Sequence, residues 1–226
     1  MFHDATSFNG DISKWDVSSV TEMGYMFAGA KSFNSEISNW DVSGVINMGY
    51  MFSGATSFKG DISKWDVSRV ANMNYMFRDA ISFTGDISEW NVRSVTDMAY
   101  MFSGAILFGY MFGDVSKWQV SAVTTMRGMF TGTSFNGDIS KWVMSSVTDT
   151  HEMFFGATLF DGDICEWDVS SVTNMGCMFQ GATSFRGEIS EWDVSSVTNM
   201  DHMFQVCVCM CLCVCVLAYV RAWCMA

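Results

Sequence analysis

Proline is absent from all 226 residues. No Pro-rich spacer can therefore divide the chain, and no composition shift occurs before residue 205. Cysteine is nearly absent from the first 204 residues, where only Cys165 and Cys177 occur. They occupy non-equivalent places in the pattern described below, so a disulfide framework is not expected. Basic residues are few: 12 Lys+Arg stand against 24 Asp+Glu, a net charge of −12. Sequence-independent nucleic-acid binding needs cations to neutralise phosphate, so nucleic acid is not an expected partner. The N-terminus lacks a charged segment followed by an apolar one, so no signal peptide is read in this chain. No G-x-S-x-G motif, phosphate loop or isolated nucleophile–base pair occurs, and the expectation is a protein that is not an enzyme and holds no cofactor or metal.

What the chain has instead is a period. Met1 to Tyr25 reads MFHDATSFNGDISKWDVSSVTEMGY, and Met51 to Tyr75 reads MFSGATSFKGDISKWDVSRVANMNY. Copies begin at Met1, Met26, Met51, Met76, Met101, Met129, Met153 and Met178, and six of these eight are 25 residues long. The fifth has 28, with Gly109–Phe112 where other copies have a single residue, and the sixth has 24. A fixed period of this length is a signature of solenoids. Residues 1–204 are read as one array and 205–226 as an apolar Val/Cys tail.

Within a copy, Ile12, Trp15, Val17 and Val20 have the I-x-x-W-x-V-x-x-V spacing of a leucine-rich repeat, which places a short strand there. Val20, Met23, Phe27 and Ala30 follow at steps of three and four, the spacing of a helix face. Ser19 and Glu22 fit a capping box in front of it. The expected fold is α/β: a leucine-rich-repeat-like solenoid of about eight 25-residue strand–helix turns. A β-helix, with strands replacing the helices, is the alternative, because Gly24 and Gly49 weaken helical propensity. The 20 Met and 19 Phe are read mainly as core.

On the strand, Asp16 and its equivalents Asp41, Asp66, Asn91, Asp168 and Asp193 face outward, beside a partial row of Lys14, Lys64 and Lys117. These are the candidate binding residues of a concave face. Calcium bridged by successive Asp, or a merely solvated surface, are the competing readings. A second row, with Asp11 and Asp61 after glycine, is read as turn chemistry. His3, His151 and His202 are expected at the surface.

The string FNGDISKWDVSSVTNM-x-x-MF-x-GA resembles the BspA-like leucine-rich-repeat surface proteins, a 25-residue repeat also seen in mycoplasma lipoproteins and algal arrays. Phe8, Asp11, Trp15, Asp16, Val17, Val20, Met23, Met26 and Phe27 match it, and the likeness covers residues 1 to about 204. Val143, Met144, Thr150 and the Gly109–Phe112 insertion depart from it. The resemblance implies cell-surface or extracellular display, and a non-catalytic repeat protein presenting a recognition or adhesion surface to protein or glycan partners. A purely structural spacer or wall component is the alternative. Apolar end turns suggest end-to-end self-association.

Two expectations concern the ends. Met1 matches the Met of the internal Met-Phe pairs, so the natural chain is expected to extend upstream. The tail Val206–Val220 is open to three readings: a membrane anchor, a metal or redox segment, or translated microsatellite sequence.

Overall fold

The computed structural model describes residues 1–108 and 114–206. The Gly109–Phe112 insertion and the Val/Cys tail beyond Val206 lie outside the described residues. No α-helix occurs among the described residues, and the only β-structure is a run of isolated parallel bridges, Glu22↔Asn47↔Asn72↔Asp97↔Thr125↔Asp149↔Asn174↔Asn199. The expected α/β strand–helix solenoid of leucine-rich-repeat type is therefore corrected, and so is the implied BspA-like architecture. The recognition or adhesion surface of such a repeat protein, and the spacer of the same build, rested on strand–helix units and fall with them. No helix among the described residues is long and apolar enough to cross a membrane.

The reason lies in the step of three. Residues i and i+3 share a helix face, but a β-turn also brings them together, through one amide–carbonyl bond across two outward residues. The chain uses the second solution. Trp15 N–H donates to the Ile12 carbonyl at 3.1 Å, Val20 to Val17 at 2.9 Å, Met26 to Met23 at 3.2 Å, and Ala30 to Phe27 at 3.0 Å. Each apolar pair flanks a corner, and polar residues such as Ser18 and Ser19 stand exposed at its tip.

The segment expected to be helical shows why a helix does not form. A helix would send each N–H to the carbonyl four residues back. Here alternate amides leave the segment: Met23 donates to Asn47, Tyr25 to Gly49, Phe27 to Met51 and Gly29 to Ser53, at 2.7–2.9 Å. Between them, the Met26 and Ala28 amides close local turns onto Met23 and Tyr25. The alternation needs a left-handed backbone at Tyr25 (φ 59°) and Gly29 (φ 70°), and equivalent residues repeat it. A regular helix cannot contain that conformation. Bonds of this kind, to the residue about 24 further on, lay each chain segment on the next.

The core follows from this stacking. Phe27, Phe52 and Phe77 stack with ring centroids 5.7 Å apart, and Phe33, Phe58 and Phe83 form a second column at 5.9–6.1 Å. Within a layer the two columns touch, Phe27 lying 3.8 Å from Phe33. Met23, Met48, Met73 and Met98 are buried beside them. The tryptophans fill the corner opened by isoleucine. Each buried indole needs a partner for its N–H, and finds it in the layer before: Trp40 to the Ile12 carbonyl, Trp65 to Ile37 and Trp90 to Ile62, at 3.1–3.2 Å.

Candidate binding cleft and tyrosine row

The expected binding residues do not form a concave strand face. They sit on turns. Asp16 Oδ1 accepts the Ser18 amide at 3.1 Å and the Ser18 hydroxyl at 2.6 Å. Asp41 does the same with Ser43, and Asp168 with Ser170. Asp66 and Asp193 accept the amides of Ser68 and Ser195. The serine hydroxyl and amide hold these carboxyls below the usual carboxylate range. Their lone pairs are thus engaged in turn chemistry. The glycine-following row is built alike, with Ser13 N–H on Asp11 at 3.0 Å and Ser63 N–H on Asp61 at 2.9 Å. Lys14 and Lys64 are exposed beside those acids. Among the described residues no group of three or more His, Cys, Asp or Glu could hold a metal ion.

Asn91 and Lys117 behave differently. They line an open cleft of about 380 Å³ with Ser88, Glu89, Arg93 and Gln119, floored by the buried Trp90 and Val92. Arg93 stands where the pattern has serine, and Gln119 where it has aspartate. The longer Gln119 side chain reaches into the neighbouring layer, where its Oε1 accepts Arg93 Nε–H at 2.7 Å. Lys117 Nζ pairs with Glu89, which also raises the lysine's pKa. Asn91 retains only a long turn bond, 3.3 Å, to Arg93 N–H. Two amides therefore interrupt the acidic row, with two cations beside them. Along that row, among the described residues, here alone do side chains engage each other across layers.

A second constellation was not anticipated. Tyr25, Tyr50, Tyr75 and Tyr100 stack on one side of the molecule with ring centroids 4.4, 4.4 and 4.8 Å apart. The next equivalent residue is Gly128. Tyr100 lies against it, so that a Cβ built there would clash with two of the ring carbons. The phenol thereby reaches past one layer and donates to Glu152 Oε2 at 2.7 Å. Arg127 Nε–H donates to the same phenolic oxygen at 2.9 Å. His151 Nε2 lies 3.3 Å from Glu152 Oε1. His151, expected at the surface, is only 17% exposed, and its buried Nδ1 has no hydrogen-bond partner among the described residues. Burial foremost, then the Glu152 bond, raises the Tyr100 pKa. Burial and the neighbouring phenols push Tyr50 up to about 12. The sequence signal was available: the tyrosine at the end of each copy persists through four copies, then gives way to Gly128, Glu152, Cys177 and His202.

These features define a class of protein: a stack of β-turn-cornered layers, without helix among the described residues and with its polar departures concentrated in the middle third. Compared with known families, the chain matches the one described as "Mycoplasma protein of unknown function, DUF285", over residues 1–110 and again over 107–210, and it belongs to that family. No curated protein matches it.

Proposed function

We propose that the protein binds rather than catalyses, and that its ligand is a glycan held in the cleft between Ser88 and Gln119. The observation behind this reading is the exchange of turn-locked Asp–Ser pairs for Asn91, Arg93 and Gln119, whose polar groups line an open cleft. Amide, guanidinium, ammonium and carboxylate groups converge there within one concavity. That set supplies both donors and acceptors for sugar hydroxyls. Arg93 and Lys117 are exposed and already oriented by Gln119 and Glu89, so little side-chain freedom remains to be lost on binding.

A glycan array probed with the full chain tests the reading. A hydrogen bond to a charged group contributes roughly 1.5–3 kcal/mol, so Arg93→Ala should weaken a captured glycan by about tenfold or more. Gln119→Asp, which restores the common turn, should do likewise. Ser170→Ala, on a turn far along the row, should leave affinity unchanged. Retention of affinity in both cleft variants would refute the cleft, and an array with no captured glycan would refute the ligand class.

A further inference from the structure

We propose that Tyr25, Tyr50, Tyr75 and Tyr100 form a one-electron oxidation site, in which an oxidising equivalent entering at Tyr25 passes along the stack and settles on Tyr100, whose phenolic proton moves to Glu152. The inference is independent of the glycan cleft.

Three observations carry it. The first is continuity. Successive rings lie 4.4–4.8 Å apart and are inclined by 9°, 10° and 21°, so their π-systems are in contact from one end to the other. The second is an entrance. Tyr25 is 49% exposed, whereas the other three are half-buried. The third is a terminus. A phenol that loses an electron becomes a strong acid, and the radical persists only where a base can take its proton. Tyr100 has such a base, the Glu152 carboxylate at 2.7 Å, within the range of a charge-assisted O–H···O⁻ bond. For Tyr25, Tyr50 and Tyr75 no hydrogen bond to a carboxylate occurs among the described residues. Arg127 adds direction: its guanidinium lies 5.9 Å from the Tyr100 ring and donates to the phenolic oxygen. A neighbouring positive charge disfavours a cationic radical and favours the neutral radical left after proton transfer.

The step balances as follows. One electron leaves the stack for an outer-sphere one-electron oxidant, which is reduced. The Tyr100 O–H bond breaks, its proton bonds to Glu152 Oε2, and the products are a neutral tyrosyl radical and a carboxylic acid. Gly128 is what permits this, since a side chain in its place would occupy the position of the Tyr100 ring.

The test is freeze-quenched electron paramagnetic resonance of the full chain after flash oxidation by a ruthenium tris-bipyridyl complex with persulfate. The chain has six tyrosines, so Tyr110→Phe and Tyr219→Phe form the background. The expected result is a tyrosyl signal that falls at least fivefold in Tyr100→Phe and in Glu152→Gln. Tyr50→Phe, which breaks the stack but leaves the Tyr100–Glu152 pair, should slow radical formation at Tyr100 without abolishing it. The proposal is overturned if Tyr100→Phe retains the signal within about twofold, or if Tyr25→Phe and Tyr50→Phe both form the Tyr100 radical as fast as the parent. Should Glu152→Gln fail to fold, the Tyr100→Phe and Tyr50→Phe results decide.

Discussion

The Ile37 carbonyl accepts two tryptophans: the Trp40 amide of its own layer and the Trp65 indole of the next, both at 3.2 Å. One oxygen, with two lone pairs, thus closes a corner and fastens the following layer to it. Trp65→Phe removes the indole donor and leaves part of its volume empty, at a cost of about 1–3 kcal/mol. Trp15→Phe should cost less than about 1 kcal/mol, because Trp15 is 39% exposed. Urea unfolding of the two variants beside the parent checks the difference, and equal midpoints would show that the indole bond adds nothing.

Gly132 isolates the contribution of backbone handedness. Its φ is +66°, and a Cβ added there meets nothing within 4 Å. Gly132→Ala therefore introduces no clash, only the left-handed penalty of about 1–2 kcal/mol. Gly44→Ala serves as the comparison, for that glycine has no positive φ and its added Cβ would touch two backbone oxygens at 3.3–3.4 Å. A melting temperature for Gly132→Ala equal to the parent's would mean that this corner relaxes freely.

Acid and alkali should act through different rows. The carboxyls of Asp11, Asp16, Asp41, Asp61, Asp66, Asp168 and Asp193 are held below 3.8 by their serine partners. A folded-state pKa lower than the unfolded one adds stability at neutral pH, and that stability is lost as pH falls through the folded value. Thermal stability should therefore hold from pH 7 to about 4 and decline below it. Tyr50 works in the opposite direction. Its pKa of about 12 exceeds the ordinary 10.0, so its contribution is complete below pH 10 and disappears as pH rises toward 12. Melting curves across both windows check the signs, and the alkaline decline should be smaller in Tyr50→Phe.

Much of this was legible in the residues, though not as secondary structure. The positions that recur as Ile37, Trp40, Val42, Met48, Phe52 and Phe58 are those that stack in the core. The steps between them were ambiguous: Val20 to Met23 and Phe27 to Ala30 satisfy a helix face and a chain of β-turns equally well. What decides is where alternate amides go, and that depends on the adjacent layer, which a single copy does not show. Tyr25 illustrates the difficulty, since a bulky residue with positive φ is uncommon and nothing local announces it. The Asp16 row was visible, yet the serine two residues on, also visible, is what engages its carboxyls. The cleft and the Tyr100–Glu152 pair lie where the pattern breaks, at Arg93, Gln119 and Gly128. Their geometry required the layers to be in place.

Gly128 joins the fold to the chemistry. It holds a φ of +59° in the position that Tyr25, Tyr50, Tyr75 and Tyr100 occupy in their own layers, and the Tyr100 ring fills the space its missing side chain leaves. Gly128→Ala should therefore do two separable things. It adds the left-handed backbone penalty, about 1–2 kcal/mol as at Gly132, and it drives the Tyr100 ring outward, breaking the bond to Glu152. Burial and that bond are the causes that raise the Tyr100 pKa. An expelled ring should accordingly titrate near the ordinary tyrosine value of about 10. Spectrophotometric titration of the folded variant against the parent reads this directly. A downward shift of one tyrosine, absent from Gly132→Ala, places the effect at the Tyr100–Glu152 pair. An unchanged titration with an intact fold would mean that Tyr100 reaches Glu152 by another path, and that the glycine serves the backbone alone.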